Sequence, residues 1–374
     1  MAEYAGYCLR ENTILDERYR ILRVIGRGGF GITYEAVNER VHLRVAVKEF
    51  FCREYMFRES AESARIRLTE ESFREQFERS KKKFLEEGRS IGDFQDEAGI
   101  VKIRESFEAN GTAYIVMDYL EGSTLKDHIK DHKDWVGDHK NPDTEALIRT
   151  FLPLMNTLAR IHSCGIIHRD ISPDNLIYMP DGTLKLIDFG AARDYFSDSR
   201  TYSVVLKNGY APCEQYDESG RLGPYTDIYA LTAVLYECIT GVVPETSIMR
   251  MFHDELKFPS ELGIRIPSEV EKVLKKGLAL DPAGRYQRME DMIAELEKWL
   301  PKPPEENKSR KKKRIMAVTC LAAAACLAGG IFRYCRAHME MIKFYGQTTE
   351  TVIIQPKEDI SEEEYSKMVS TIRG

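Results

Sequence analysis

The most informative stretch of the chain carries His168-Arg169-Asp170, then Asn175, and then Asp188-Phe189-Gly190. Asn175 follows Asp170 by five residues, and Asp188 follows Asn175 by thirteen. Carboxylate and amide oxygens can hold a hard divalent metal, and a carboxylate can also accept a proton. Each short motif occurs by chance, but the ordered set with these gaps hardly does. The set therefore predicts a site that transfers the terminal phosphate of a nucleotide.

A glycine-rich segment, Gly26-Arg27-Gly28-Gly29-Phe30-Gly31, lies upstream and follows a predicted strand that ends at Ile25. Glycines at this spacing let backbone N–H groups approach phosphate oxygens, because no Cβ stands in the way. The segment alone is a weak signal, since dinucleotide-binding folds use a similar one. Further along, Val45-Ala46-Val47-Lys48 predicts a short strand that ends in a cation. In this order, Lys48 is better interpreted as a phosphate-binding residue than as a solvated lysine at a strand end.

The motifs resemble those of the eukaryotic-type (Hanks-type) serine/threonine protein kinases, in particular their membrane-anchored bacterial branch. The resemblance covers residues 19–300 and implies a two-lobed α+β fold. Residues 19–119 would form a small β-rich lobe, residues 120–300 a larger helical lobe, and residues 1–18 an N-terminal extension. Within the small lobe, we expect the charged residues 51–69 to be irregular and a helix to begin near Glu70.

Three residues outside the catalytic motifs also match structural positions of this family. Glu214 ends Ala211-Pro212-Cys213-Glu214, which resembles the family's A-P-E element with one residue inserted. Arg285 resembles the arginine that pairs with that glutamate. Asp227 resembles the aspartate that anchors the backbone of the catalytic loop. The resemblance implies structural rather than catalytic roles for all three.

The resemblance also implies ATP-dependent transfer of the γ-phosphate to serine and threonine hydroxyls of proteins. Asp170 would accept the hydroxyl proton, and Lys48 would contact the α- and β-phosphates. Asn175 and Asp188 would bind Mg2+ or Mn2+. Glu87 would pair with Lys48 and orient it, so that five residues are predicted to be catalytic.

For the lysine's partner, Glu86 is the alternative to Glu87. Met117 aligns with the family's residue behind the adenine base, and residues 118–120 align with the hinge whose backbone meets the base. The predicted ATP-binding residues are Ile25, Gly26, Arg27, Gly28, Gly29, Phe30, Gly31, Ile32, Thr33, Ala46, Lys48, Met117, Asp118, Leu120 and Ile177.

Arg169 predicts control by phosphorylation of the segment between Asp188 and Glu214, which we call the activation segment. An arginine beside the catalytic aspartate can pair with a phosphate on that segment. We expect autophosphorylation there, and closeness to the substrate-docking loop favours two of the four candidate hydroxyls. The candidates are Thr201 and Ser203, which are favoured, and Ser199 and Ser197.

Ser172 is the largest departure from the family pattern, because the family usually has a lysine there that contacts the transferred phosphate. Losing one charge-assisted hydrogen bond costs roughly 1.5–3 kcal/mol, which would slow transfer about 10- to 100-fold. Lys207 could compensate, and it stands about where the family usually has a substrate-loop threonine. Two alternatives therefore stay open. One is a pseudokinase that binds ATP as a signalling scaffold, and the other is a kinase-fold enzyme that phosphorylates a small molecule.

Composition narrows the class of protein. The net charge of −6 gives no general reason to expect nucleic-acid binding. The eight cysteines are scattered singly, which argues against a zinc site or a disulfide framework and suits a reducing cytoplasm. The first twenty residues carry charges and no apolar run, so we expect no signal peptide.

Residues 315–332 contain no charged residue and would extend about 27 Å as a helix, just enough to cross a bilayer. Residues 308–314 hold six basic residues, more than the three in the first eleven residues after the apolar run, which are Arg333, Arg336 and Lys343. We therefore predict a single-pass cell-membrane protein with a basic juxtamembrane linker over 301–314 and a cytoplasmic kinase domain. A short extracytoplasmic tail would cover 333–374. Small residues four apart in the span, such as Ala325 and Gly329, favour a homodimer.

Overall fold

The computed structural model describes residues 7–29, 31–60, 62–131, 141–188, 207–217 and 220–301. Contacts divide the chain into Met1–Leu300 and Pro301–Gly374, and all the described helices and strands belong to the first unit. The strands are β1 Ile14–Leu15, β2 Tyr19–Arg27, β3 Gly31–Asn38, β4 Leu43–Phe50, β5 Met56–Arg58, β6 Ile66–Leu68, β7 Ile103–Ala109, β8 Thr112–Asp118, β9 Ser123–Thr124, β10 Leu176–Tyr178 and β11 Leu184–Leu186. The helices are α1 Arg74–Gly92, α2 Leu125–Asp131, α3 Thr144–Ser163, α4 Pro224–Thr240, α5 Ser247–Phe252, α6 Ser268–Gly277 and α7 Met289–Trp299.

The small lobe is a six-stranded antiparallel sheet in the order β1-β2-β3-β4-β8-β7. Helix α1 packs on this sheet, and its apolar residues recur at helical spacing on one buried face. Phe84 on that face meets Phe50 of β4 with 5.5 Å between the ring centroids. A short 3-10 turn at Glu71–Phe73 leads into α1, close to the predicted start of the helix.

Residues 51–69 correct the expectation of an irregular segment, because they contain the hairpin β5–β6. Arg58 at the end of β5 forms an ion pair with Glu49 of β4, and both side chains are fully buried. Tyr34 and Tyr114 donate hydrogen bonds to the same carboxylate at 2.8 and 2.9 Å. The sequence predicted an irregular charged segment, whereas the fold uses one of its arginines as the partner of a buried acid.

The chain before β2 also packs into the small lobe. Leu9 N donates to the Tyr34 hydroxyl at 3.0 Å, and Arg58 Nε donates to Tyr7 O at 2.6 Å. Strand β1 then pairs with the start of β2. Residues from Tyr7 onward therefore complete the polar cluster around Glu49.

The large lobe is built around α4, whose side chains are buried along most of its length. Helices α6 and α7 pack against α4, and α3 packs against α7. Asp143 caps α3 by accepting a hydrogen bond from Ala146 N at 3.0 Å. The resulting core is separate from that of the small lobe.

A three-stranded sheet in the order β11-β10-β9 contributes Leu176, Leu184 and Leu186 to the core of the large lobe. Residues 99–101 join it to the small lobe, since Val101 N donates to Leu186 O and Leu186 N donates to Gly99 O, both at 2.9 Å. The two-lobed α+β kinase fold is thus confirmed. Among the residues that the structure describes, no helix is long and apolar enough to cross a membrane, and the predicted span at 315–332 lies outside them.

Candidate active site

Asp170 lies on the loop between α3 and β10, where Asn175 holds it. Asn175 Nδ2 donates to the backbone oxygen and to Oδ2 of Asp170, both at 2.8 Å. The Asp170 side chain is 23% exposed, so an incoming hydroxyl can reach its carboxylate. A carboxylate held in this way but open to one side suits a proton acceptor.

Asp227, in the first turn of α4, fixes the backbone of this loop. Its two oxygens accept hydrogen bonds from His168 N and Arg169 N, each at 2.7 Å. His162 Nε2 lies 2.8 Å from Oδ2. Burial alone would raise the pKa of Asp227, but the hydrogen bond and charge of His162 outweigh it and hold that pKa below its ordinary value. The prediction that Asp227 anchors the catalytic loop is confirmed.

The predicted metal ligands lie at one end of the hairpin formed by β10 and β11. Ile187 N donates to Asn175 O at 3.1 Å, and Asp188 is the next residue. Because Asn175 Nδ2 faces Asp170, the amide oxygen Oδ1 is left to bind a cation. One carboxylate and one amide oxygen, together with phosphate oxygens of a nucleotide, fit Mg2+ or Mn2+.

Lys48 on β4 forms an ion pair with Asp188, with 2.7 Å between Nζ and Oδ1. Burial alone would lower the pKa of Lys48, but the charges of Asp188 and Glu87 outweigh it and raise that pKa. Lys48 is therefore a cation at neutral pH, as phosphate binding requires.

Glu87 and Glu86 occupy different faces of α1. Glu87 is buried and its charge acts on Lys48. The Glu86 side chain is 54% exposed, and Oε1 lies 3.7 Å from Lys82 Nζ. This placement favours Glu87 over Glu86 as the partner of Lys48.

The glycine-rich segment forms the turn between β2 and β3. Ile25, Gly26 and Arg27 end β2, and Gly26 pairs with Thr33 while Arg27 pairs with Ile32. Gly28 N donates to Gly31 O at 2.9 Å, which closes the turn around the exposed Gly29. A Cβ on Gly31 would lie 2.9 Å from Glu49 O, so the strand that carries Lys48 can approach only a glycine here. Phe30 lies outside the described residues.

The predicted adenine side is formed where β4 and β8 pair. Ala46 of β4 lies opposite Met117 of β8. Ile177 stands on β10 in the three-stranded sheet, where it pairs with Thr124. Asp118 N donates to Lys102 O at 3.0 Å, so a base would use other hinge backbone groups, such as those of Leu120.

Ser172 is fully buried, and Lys207 at the end of the activation segment reaches it. Lys207 Nζ donates to Ser172 Oγ at 2.6 Å and lies 3.9 Å from Asp170 Oδ2. Lys207, which the sequence suggested as a replacement for the lysine usually found at position 172, therefore lies beside Asp170, the predicted proton acceptor.

Glu214 and Arg285 form a buried ion pair, with Nη1 to Oε1 at 2.6 Å and Nη2 to Oε2 at 3.1 Å. This confirms the predicted pairing and fixes the end of the activation segment to the large lobe. The other residues predicted on that segment lie outside the described ones: Phe189, Gly190, Ser197, Ser199, Thr201 and Ser203.

Two contributors to the site were missed at the level of sequence. His162 holds Asp227, yet a histidine six residues before His168 has no distinguishing pattern. Gln215 Nε2 donates to Arg169 O at 2.8 Å and so supports the catalytic loop from the segment after Glu214. Both contacts join residues that are distant in sequence, and only the fold brings them together.

A protein kinase domain model matches residues 19–296, most of the chain. The chain belongs to the protein kinase family. It is 32% identical over 287 residues to serine/threonine-protein kinase PrkC of Bacillus subtilis, covering 75% of this chain and 40% of that protein. It is 30% identical over 286 residues to serine/threonine-protein kinase PknE of Mycobacterium tuberculosis, covering 74% and 45%. The chain thus spans less than half the length of these relatives, and its resemblance to bacterial eukaryotic-type kinases is confirmed.

Solved structures agree with the fold. The structure described as the PpkA-294 apo form matches with a TM-score of 0.68 and 32% identity, over 78% of this chain and 99% of that one. The Mycobacterium tuberculosis PknI kinase domain matches with a TM-score of 0.51 at 19% identity, which supports the fold alone.

Proposed function

We propose that this kinase-family chain uses ATP to phosphorylate serine and threonine hydroxyls of proteins, its own activation segment included. The main structural support for this proposal is the ion pair between Lys48 and Asp188, with 2.7 Å between Nζ and Oδ1. It joins β4, which pairs with the strand after the glycine-rich turn, to the end of the hairpin formed by β10 and β11. Only Ser172 favours the alternative that the chain is a pseudokinase. The four residues predicted to bind phosphate, accept the proton and bind metal all match the family pattern: Lys48, Asp170, Asn175 and Asp188.

The proposed reaction is a direct transfer between two oxygens. The substrate hydroxyl oxygen bonds to the γ-phosphorus, and the bond from phosphorus to the β–γ bridging oxygen breaks, its electron pair leaving with ADP. Asp170 takes the hydroxyl proton. Lys48 would neutralise the α- and β-phosphates, and Asn175 and Asp188 would hold a divalent metal that would offset charge on the phosphates.

The proposal includes a membrane anchor through residues 315–332, with the kinase domain in the cytoplasm and a homodimer formed by the span. Its support is the uncharged run, the basic residues before it and the small residues at Ala325 and Gly329. Resistance to alkaline extraction from membranes tests the anchor. A membrane association assay with Gly329→Ile tests the dimer, and equal association of the wild-type and substituted spans would remove it.

The activity is tested with the full chain in mild detergent, ATP labelled on the γ-phosphate, Mg2+ and a generic protein substrate such as casein. We expect label on phosphoserine or phosphothreonine, and none with Lys48→Met. ATP binding without any transfer would identify a pseudokinase instead. ATP turnover that needs a small hydroxyl compound, with unlabelled protein, would identify a small-molecule phosphotransferase.

A further inference from the structure

The position two residues after Asp170 is held by an uncharged side chain. Ser172 is fully buried and its backbone is extended, with φ of −164°. Its hydroxyl is a neutral group beside a site that must stabilise a strongly anionic phosphoryl group. Position 172 therefore supplies no positive charge to the transferred phosphate.

We propose that Lys207 is a catalytic residue that supplies a cation from the activation segment to the transferred phosphoryl group. The inference rests on the proposed kinase function. Lys207 Nζ lies 2.6 Å from Ser172 Oγ, 3.9 Å from Asp170 Oδ2 and 4.0 Å from Asp174 Oδ2. Its side chain is 28% exposed, so the ammonium faces a site that a substrate can enter.

The distance to Asp170 places the ammonium at the reacting centre. An attacking hydroxyl must come within about 3 Å of the Asp170 carboxylate to give up its proton. The oxygen of that hydroxyl is also the atom that bonds to the γ-phosphorus. A cation 3.9 Å from the same carboxylate is therefore within reach of the phosphoryl oxygens. An ammonium has three donors, so Lys207 can keep its hydrogen bond to Ser172 while it donates to the phosphate.

The backbone of Lys207 is fixed by the turn that follows it. Lys207 O accepts hydrogen bonds from Tyr210 N at 3.1 Å and Ala211 N at 3.2 Å. Gly209 has φ of +87°, and a Cβ there would lie 2.5 Å from a backbone oxygen, so this turn requires glycine. The Tyr210 hydroxyl donates to Glu237 of α4 at 2.6 Å, which ties the turn to the core of the large lobe. Lys207 is therefore a positioned side chain on an anchored turn.

In the reaction, Lys207 stays protonated and exchanges no atoms. The hydroxyl oxygen bonds to the γ-phosphorus, the bond to the bridging oxygen breaks and its electron pair leaves with ADP, and Asp170 receives the hydroxyl proton. Lys207 donates a hydrogen bond to a non-bridging oxygen as negative charge redistributes. Because this bond strengthens in the transition state, its loss lowers kcat more than it changes the KM for ATP.

Because Lys207 lies on the activation segment, the presence of its positive charge near Asp170 depends on the position of that segment. A lysine on the catalytic loop would be present whatever the segment did. Lys207 instead belongs to the activation segment. Its ammonium therefore reaches Asp170 only when the turn after Lys207 is packed on the large lobe. The position of the described turn, residues 207–211, therefore decides whether the catalytic site is complete.

The competing explanation is that Lys207 only neutralises the neighbouring carboxylates Asp170 and Asp174. Two double variants separate the explanations. Adding Ser172→Lys to Lys207→Met returns an ammonium to the site from the loop. Adding Asp174→Asn to Lys207→Gln removes one of the two negative charges that a merely neutralising lysine would offset, and it leaves the predicted proton acceptor Asp170 unchanged.

The experiment measures kcat and the KM for ATP with the full chain in detergent, and thermal unfolding checks that each variant is folded. We expect Lys207→Met and Lys207→Gln to lower kcat about 10- to 100-fold with the KM for ATP within about twofold. Lys207→Arg should retain more activity than Lys207→Gln, because it keeps a charged donor. Lys126→Met is the matched control, since Lys126 Nζ lies 3.0 Å from Asp174 Oδ1 and is largely exposed, and it should stay near wild-type kcat.

If the folded Ser172→Lys/Lys207→Met variant has a kcat about tenfold higher than Lys207→Met, the result supports a catalytic role for Lys207. If the buried lysine unfolds that variant, the other pair decides, and no recovery in Lys207→Gln/Asp174→Asn supports the assignment. Wild-type kcat in Lys207→Met, or full recovery by Asp174→Asn, overturns it. Absence of transfer by the wild-type chain is a different result, because it removes the proposed kinase function and the inference with it.

Discussion

Arg58 and Glu49 form an ion pair in which neither side chain is exposed to solvent. Glu49 directly follows Lys48 on β4, so the pair fixes the strand that carries the lysine predicted to bind phosphate. The hairpin β5–β6 supplies the arginine, and two tyrosine hydroxyls complete the carboxylate's hydrogen bonds. A buried pair of this kind depends on both partners, because removal of one leaves an uncompensated charge.

Arg58→Leu should therefore lower the free energy of unfolding by about 3–5 kcal/mol, measured by urea denaturation in mild detergent. Arg67→Leu is the control, since Arg67 pairs with Glu59 on the surface and its loss should cost less than about 1 kcal/mol. Adding Glu49→Gln to Arg58→Leu should recover part of the loss by removing the buried charge. A double variant less stable than Arg58→Leu would contradict this account.

Asp170→Asn should abolish the proton acceptor while leaving nucleotide binding nearly intact. Asn175 can still donate to an amide oxygen at position 170, so the loop keeps its shape. We expect kcat to fall about 10²- to 10⁴-fold. Transfer of label and equilibrium binding of an ATP analogue are measured on the same preparation, and unchanged turnover would rule out the proposed role of Asp170.

His168 should make stability depend on pH below neutrality. The ring is fully buried, and Nδ1 accepts a hydrogen bond from Asp170 N at 3.2 Å, which requires the neutral form. Burial lowers the pKa of His168 despite the opposing charges of Asp227 and Asp170. The unfolded chain then takes up this proton near pH 6.5 and the folded chain only at lower pH, so stability falls as the pH drops below 6.5.

Unfolding free energies at pH 7 and pH 5 test this expectation. The loss between the two should be smaller in His168→Phe, which has no titrating ring, than in the wild type. His253→Phe is the control, because His253 is exposed and pairs with Glu255 on the surface. It should keep the wild-type loss, and an equal loss in all three proteins would show that His168 is not the titrating group.

Phosphorylation of the activation segment should accompany activity. Arg169 O is held by Gln215, which places this residue beside the end of the segment. Mass spectrometry of active protein should find phosphate on at least one of four hydroxyls, and phosphatase treatment should lower kcat. The four are Thr201, Ser203, Ser199 and Ser197. Arg169→Gln should make kcat insensitive to phosphatase, and active protein with all four unmodified would remove the idea.

The sequence predicted those parts of the site that are short motifs with fixed gaps. Lys48, Asp170, Asn175 and Asp188 could be found because each stands in a recognisable local pattern, and the structure pairs Lys48 with Asp188 and Asn175 with Asp170. The pairing of Glu214 with Arg285 was also predicted, although 71 residues separate them, since both stand in such motifs.

The buried pair of Glu49 with Arg58 was not predicted. Arg58 stands among several exposed arginines and glutamates, and no local property marks it as the buried one. Its burial depends on how the hairpin β5–β6 packs beside β4, which only the folded small lobe determines. The same reasoning applies to His162, whose partner lies 65 residues away.

The contacts made by Tyr7 and Leu9 set a practical limit on how the domain can be shortened. A recombinant domain cut at Tyr19, where the family match starts, would lose the donor to the Tyr34 hydroxyl and the acceptor for Arg58 Nε. Water would then reach the Glu49 carboxylate, which is next to Lys48 on β4. Expression of the isolated catalytic domain should therefore begin at or before Tyr7.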